Sequence, residues 1–114
     1  MYAAGMWQAG IPGQITATDI DFLVDTNPRA TIFTNQSAYA VMRQNGGGRI
    51  INLGSAEAVM DSPISAVYAA TKGAVSAWTR SVARAWATER CQSSPRRPQC
   101  KPPGRIGGLV MLGA

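Results

Sequence analysis

Apolar positions recur along this chain with two different spacings, and the breaks between them fall at asparagine, proline and glycine. The opening MYAAGMWQAGIPGQI is apolar and glycine-spaced without a clean period, as in a loop leaving an earlier element. Thr16 is then a good N-cap, with Asp19 in the acidic first turn that a helix dipole favours. Ile20, Leu23 and Val24 follow at helical spacing, until Asn27 and Pro28 interrupt the run. A second helical stretch passes through Ala30, Phe33, Ala38, Ala40, Val41 and Met42 and stops at Gly46, Gly47 and Gly48.

The spacing changes at RIINL. Arg49 to Leu53 is a short apolar run after glycines and before Gly54, the pattern of a buried parallel strand. A loop from Gly54 to about Ser65 follows. From Val67 to about Glu89 the chain is alanine-rich and free of proline, which predicts a long helix with Trp78 and Trp86 as packing anchors. Beyond Arg90 the segment CQSSPRRPQCKPPGR cannot continue a helix or a central strand. The predicted order is therefore helix, helix, strand, loop, helix and an irregular tail. One strand makes no sheet, so the pattern describes part of an α/β domain.

Composition changes this picture little. The chain has 114 residues, 46% of them apolar, enough for a single domain or a piece of one. Its formal charge of +5 belongs mostly to the tail, where Arg96, Arg97, Lys101 and Arg105 meet no acid. That tail lacks interleaved aromatic residues and any zinc or helical module, so a nucleic-acid partner is not expected. Cys91 and Cys100 form no CxxC pair and the chain has no histidine, so no metal site is expected; a free thiol pair is the simpler reading than a disulfide. No stretch has the length of a membrane span and the first residues do not read as a secretion signal, which makes a cytoplasmic location the default expectation.

The segment YAATK carries the first chemical signal, because Tyr68 and Lys72 four residues apart share one helical face. A phenol is a poor acid or base at neutral pH, and a neighbouring ammonium favours its ionised form. Such a tyrosine can exchange a proton with a carbonyl or alcohol oxygen. Ser55 follows the strand, at the edge where parallel sheets meet their ligands, and its hydroxyl is suited to hold the same oxygen. At the break between the first two helices, Asn27 has a backbone carbonyl and a side-chain amide with which to hold a water. Taken singly, each residue is as well explained as a surface pair, a loop cap or a helix terminator. No G-x-G-x-x-G or Walker-type loop occurs in the sequence.

Together these residues make the chain resemble the short-chain dehydrogenase/reductase family. That family's strand ending in an N-I-S-S-like segment, a loop and Y-x-x-x-K are matched by INLGS and YAATK, with Ser55 thirteen residues before Tyr68. Asn27 in VDTNPRA stands where the family has its catalytic asparagine, and Ala4 and Gly5 in YAAGMWQAG match the last two positions of its N-N-A-G segment. The resemblance covers roughly residues 1–90. It implies a doubly wound, parallel-sheet Rossmann-like domain, of which residues 49–53 would be the fifth strand. It also implies NAD or NADP as cofactor and hydride transfer between the nicotinamide and a small alcohol or carbonyl substrate. In this scheme Tyr68 is the acid/base and Ser55 orients the substrate oxygen. Lys72 binds the nicotinamide ribose and assists Tyr68, Asn27 holds a relay water, and Ala4 and Gly5 lie along the cofactor with Tyr68 and Lys72. Helices 28–44 and 67–89 would form a homo-oligomer contact through alanines 69, 70, 74, 77 and 83 and Trp78.

The departures are equally specific. The Gly-rich turn that holds pyrophosphate and the strand whose end selects NAD or NADP are absent, so coenzyme preference is unreadable, and Tyr2 and Ala3 replace two asparagines. Pro103 and Gly104 lie too far from Tyr68 to match the family's P-G segment, and residues 91–114 read as a basic tail that is disordered or out of frame. Two functional expectations follow. The first is an NAD(P)-dependent oxidoreductase represented by its catalytic middle and inactive in isolation. The second is a non-catalytic remnant that acts as a dimerisation or interaction module. Val59, Met60 and Ile64 would give the substrate wall an apolar part, without choosing a substrate.

Overall fold

A computed structural model describes residues 5–93 of the chain. Helix α1 spans Ala17–Val24, and Thr16 caps it as its side chain dictates. The Thr16 hydroxyl accepts the Asp19 amide at 3.2 Å while the Asp19 carboxylate accepts the Thr16 amide at 2.9 Å, a reciprocal capping box. The Thr16 hydroxyl also donates to the Asp19 carboxylate at 2.6 Å, and this bond, followed by those from the Thr16 amide and the Gln8 side chain, holds the Asp19 carboxyl below its ordinary pKa.

The predicted break at Asn27 and Pro28 is not a break. Asp25–Arg29 forms a π-helical turn that leads directly into α2, Ala30–Gln44. Pro28 has no N–H to give to the preceding turn, and the helix widens instead of stopping: the Ala30 amide reaches back to the Asp25 carbonyl, five residues away. The widened turn also sets Asn27 in the interior, 1% exposed. Helix α2 ends as its glycines predict. Gly46 has φ 84°, and the Gly47 amide donates to the Met42 carbonyl at 2.8 Å while the Asn45 amide donates to Val41.

Residues 49–53 depart from the predicted strand. Among the described residues only Leu53 occupies a bridge position there. Around that bridge, among the described residues, the segment packs through its side chains on two helices. Burial is also inverted. Ile50, Ile51 and Leu53 are half-buried, whereas Asn52 is buried. The Asn52 and Asn35 amides bond each other reciprocally at 2.8 and 2.9 Å, and Asn52 donates a second bond to the Thr79 hydroxyl at 2.8 Å. The Trp78 indole N–H reaches the Asn35 carbonyl oxygen at 3.3 Å. One amide pair thus joins α2, the segment before Gly54 and α3, Ala66–Ser93. A short 3-10 turn, Ala56–Ala58, lies within the predicted loop, and α3 runs three residues beyond the predicted boundary at Arg90. The rest of the tail, with Cys100, and the N-terminal Ala4 lie outside the described residues.

Trp78 and Trp86 do serve as anchors, within the chain. Tyr39 of α2 stacks on Trp86 at 4.1 Å between ring centroids, and Trp78 meets Trp86 edge-on at 6.5 Å. Trp78 is therefore committed to an intramolecular cluster, while Ala70, Ala74 and Ala77 of the same helix remain exposed. Leu23 and Val75 are the buried apolar core among the described residues, and Trp7, Phe33, Val41, Val59 and Met60 are all more than half exposed. The layer is held by polar contacts inside and is apolar outside, the inverse of a self-contained domain, as expected of one layer of a larger sheet structure.

The paired amides predict a measurable coupling. Asn35→Ala leaves Asn52 and the Trp78 indole short of partners in the interior and should destabilise the chain by about 2 kcal/mol. A urea double-mutant cycle with Asn52→Ala should return a coupling of about 1 kcal/mol; additivity of the two single effects would contradict the pairing.

Candidate functional site

The first two turns of α3 bring two of the expected residues together. Tyr68 and Lys72 lie one turn apart on the helix, and the Lys72 ammonium sits 5.7 Å from the centre of the Tyr68 ring. Lys72 is 7% exposed and donates one hydrogen bond, at 3.2 Å, to the Leu53 carbonyl at the end of the INL segment. Among the described residues no carboxylate pairs with it. Burial of an uncompensated ammonium lowers the Lys72 pKa from its usual 10.5. An ammonium carries three donors. Two of them have no protein acceptor among the described residues. The Tyr68 hydroxyl likewise makes no hydrogen bond among the described residues.

Gly5 forms the other side of this charge. A Cβ at that position would stand 3.3 Å from Lys72 Nζ and 3.4 Å from Asn27 Oδ1, so glycine lets the backbone pass over both polar atoms. Ala4, the second residue expected along the cofactor, lies outside the described residues.

Asn27 reaches the same place from the π turn, with most of its side-chain hydrogen-bonding capacity committed. Its Oδ1 accepts the Met6 amide at 2.9 Å, and its Nδ2 donates to the Met6 carbonyl at 2.9 Å and to the Thr71 hydroxyl at 3.0 Å. The side chain has closed on a backbone peptide as a neighbouring strand would. Its own carbonyl accepts the Thr31 hydroxyl at 2.7 Å and the Ala30 amide. The expectation of a free amide is therefore narrowed: Met6 and Thr71 take both N–H donors and one of the two acceptor positions on Oδ1.

Ser55 stands at the cap of the 3-10 turn. Its hydroxyl oxygen accepts the Glu57 amide at 3.3 Å, which leaves its O–H as a donor. The 3-10 turn and the start of α3 are joined through side chains. Ser65, 1% exposed, donates to the Glu57 carboxylate and is bonded to Ser62, and the Gly10 amide meets the Ile64 carbonyl at 2.8 Å. Thr71, Glu57 and Ser65 were not singled out from the sequence. Thr71 lies inside YAATK and carried a signal by position alone; Glu57 and Ser65 carried none.

These elements form a helical layer whose polar site lies where the segment before Gly54 ends against a helix. The short chain dehydrogenase family model matches residues 1–94. The chain belongs to that family, and its fold is part of a Rossmann-like domain. Among curated proteins it is 41% identical over 87 residues to oxidoreductase asL5 of Sarocladium schorii, covering 76% of this chain and 33% of that protein. It is 32% identical over 95 residues to gluconate 5-dehydrogenase of Gluconobacter oxydans, covering 83% of this chain and 37% of the enzyme. A solved structure titled ElxO with NADP bound superposes with a TM-score of 0.72 at 28% identity, over 76% of this chain and 36% of that one. A short chain dehydrogenase/reductase family protein superposes with a TM-score of 0.67 at 32% identity, over 75% and 35%. The chain spans about a third of the length of the relatives it matches. No helix among the described residues is long and apolar enough to cross a membrane.

Lys72 gives the site a pH signature. Its folded pKa lies below the unfolded value of 10.5, so between the two the unfolded chain binds more protons. The desolvation penalty is fully present below the lowered pKa and disappears as pH rises through that window. Urea unfolding should therefore show stability increasing with pH in the range just below 10.5, and Lys72→Met should flatten that rise; an unchanged slope in the variant would assign it to other groups.

Proposed function

We propose that the chain carries the catalytic middle of an NAD(P)-dependent oxidoreductase that transfers a hydride between the nicotinamide and a small alcohol or carbonyl substrate. One observation supports this most directly: a buried lysine, seated beneath Gly5 and beside Tyr68, with two ammonium donors and a neighbouring tyrosine hydroxyl that meet no partner among the described residues. A structural ammonium would be expected to meet a carboxylate or to saturate itself on carbonyls. Donors that meet no acceptor among the described residues suit the hydroxyls of a ribose.

In this reading Lys72 holds the ribose and keeps a positive charge beside Tyr68. Tyr68 moves a proton to or from the substrate oxygen, and Ser55 offers that oxygen its free O–H. The cofactor, when bound, supplies the hydride, and the protein supplies position and electrostatics. A relay water would find one acceptor position left on Asn27 Oδ1, since the backbone carbonyl already accepts the Thr31 hydroxyl and the Ala30 amide. The side chain acts by holding Gly5 and Met6 against Lys72. The residues on this chain suit the nicotinamide end of the cofactor. They do not include a Gly-rich pyrophosphate turn, so NAD and NADP are both retained.

A second reading is favoured by the apolar exterior. A groove of about 500 Å³ between α1 and α3, lined by Ile20, Val24, Pro28, Val67, Ala70 and Ala74, supports association of the chain through its helices, with or without catalysis. Sedimentation over a wide concentration range separates the two: a defined dimer that binds neither NADH nor NADPH favours the association module.

The catalytic reading predicts that NADH or NADPH oxidation in the presence of a carbonyl substrate is lowered about 100-fold or more by Tyr68→Phe, with cofactor binding retained. Absence of cofactor binding, or a Tyr68→Phe variant that turns over normally, would overturn it.

A further inference from the structure

Ser55 and Tyr68 belong to different elements, and something must fix the distance between them. Glu57 touches both sides. Its backbone amide donates to the Ser55 hydroxyl oxygen, and its carboxylate accepts the hydroxyl of Ser65, the residue before α3. Ser65 has a single hydroxyl hydrogen, already given to Glu57. In the contact between Ser62 and Ser65 the donor must therefore be Ser62, and the chain runs in one direction, from Ser62 to Ser65 to the carboxylate. The Ser65 carbonyl in turn accepts the Ala69 amide at 2.9 Å, in the turn that presents Tyr68.

We infer that Glu57 is a positioning residue, which ties the Ser55 turn to the first turn of α3 and so sets Ser55 relative to Tyr68. The inference rests on the catalytic reading for its importance, and on the hydrogen-bond chain alone for its geometry. An aliphatic residue at position 57 would take the carboxylate acceptor from the buried Ser65 hydroxyl and loosen the tie between the 3-10 turn and the helix. A glutamine keeps an acceptor oxygen at the same reach.

Hydrogen exchange on the full chain decides the geometry. Glu57→Ala should lower protection about tenfold at Ala58, Val59 and Met60, whose amides close the 3-10 turn, and also at Ala69. Asn45 and Gly47 at the end of α2 serve as the unchanged reference, and Glu57→Gln should restore the protection. Loosening of the 3-10 turn without Ala69, equal loosening at Asn45 and Gly47, or failure of glutamine to restore protection would each overturn the inference. Where the wild-type chain turns over a carbonyl substrate, Glu57→Ala should lower kcat about tenfold with KM within twofold, and Glu57→Gln should recover it; an unchanged kcat would overturn the positioning role. A wild-type chain without turnover would instead remove the catalytic reading and leave the exchange result standing.

Discussion

The side-chain amide of Asn27 is the contact on which the site depends. It closes on both polar groups of the Met6 peptide and on the Thr71 hydroxyl, and so joins the N-terminal segment, the helix junction and α3 at one buried point. Two local facts make this possible. Pro28 forces the wide turn that carries Asn27 inward, and Gly5 has no side chain to keep the Met6 peptide away. Lys72 lies against the result. Its charge is retained in the interior by the Leu53 carbonyl and by the proximity of the Tyr68 ring, and burial shifts it toward neutrality.

A second polar junction, Asn35 with Asn52 and Thr79, does for the middle of the layer what Asn27 does for its end. Each lost hydrogen bond in such a network leaves a desolvated partner, so the network specifies one arrangement more sharply than apolar contacts would. The exposed apolar residues belong to the same logic. Among the described residues Phe33, Val41 and Trp7 are exposed while Asn27, Asn35 and Asn52 are buried, and the chain spans about a third of the relatives it matches.

The helices were legible because their ends are written in local chemistry: Thr16 and Asp19 at one boundary, the glycines from Gly46 at another. The π turn was not, since proline reads as a terminator unless the turn around it can widen, and only the burial of Asn27 explains why it does. RIINL was read as an apolar strand. Its one polar member is the residue that is buried, because two helices present Asn35 and Thr79 to it, and such tertiary pairing has no local signature. In the site, Tyr68 and Lys72 stand out by a four-residue spacing and Ser55 and Asn27 by their places after INL and at the helix junction, while the family resemblance gives each its expected role. What Asn27 bonds to could not be read, because its partner is a backbone peptide 21 residues away. Glu57 and Ser65 were invisible for a related reason: neither is unusual in a loop until their side chains meet.

The most direct test of the site uses the fact that the chain has two lysines, Lys72 and Lys101. With both labelled at Cε, an NADH or NADPH titration followed by NMR should move the Lys72 resonance, identified by its loss in Lys72→Met, and leave that of Lys101 in place. Movement of neither signal, or of both alike, at saturating nucleotide would contradict a ribose-holding role for Lys72 and with it the central reading of the site.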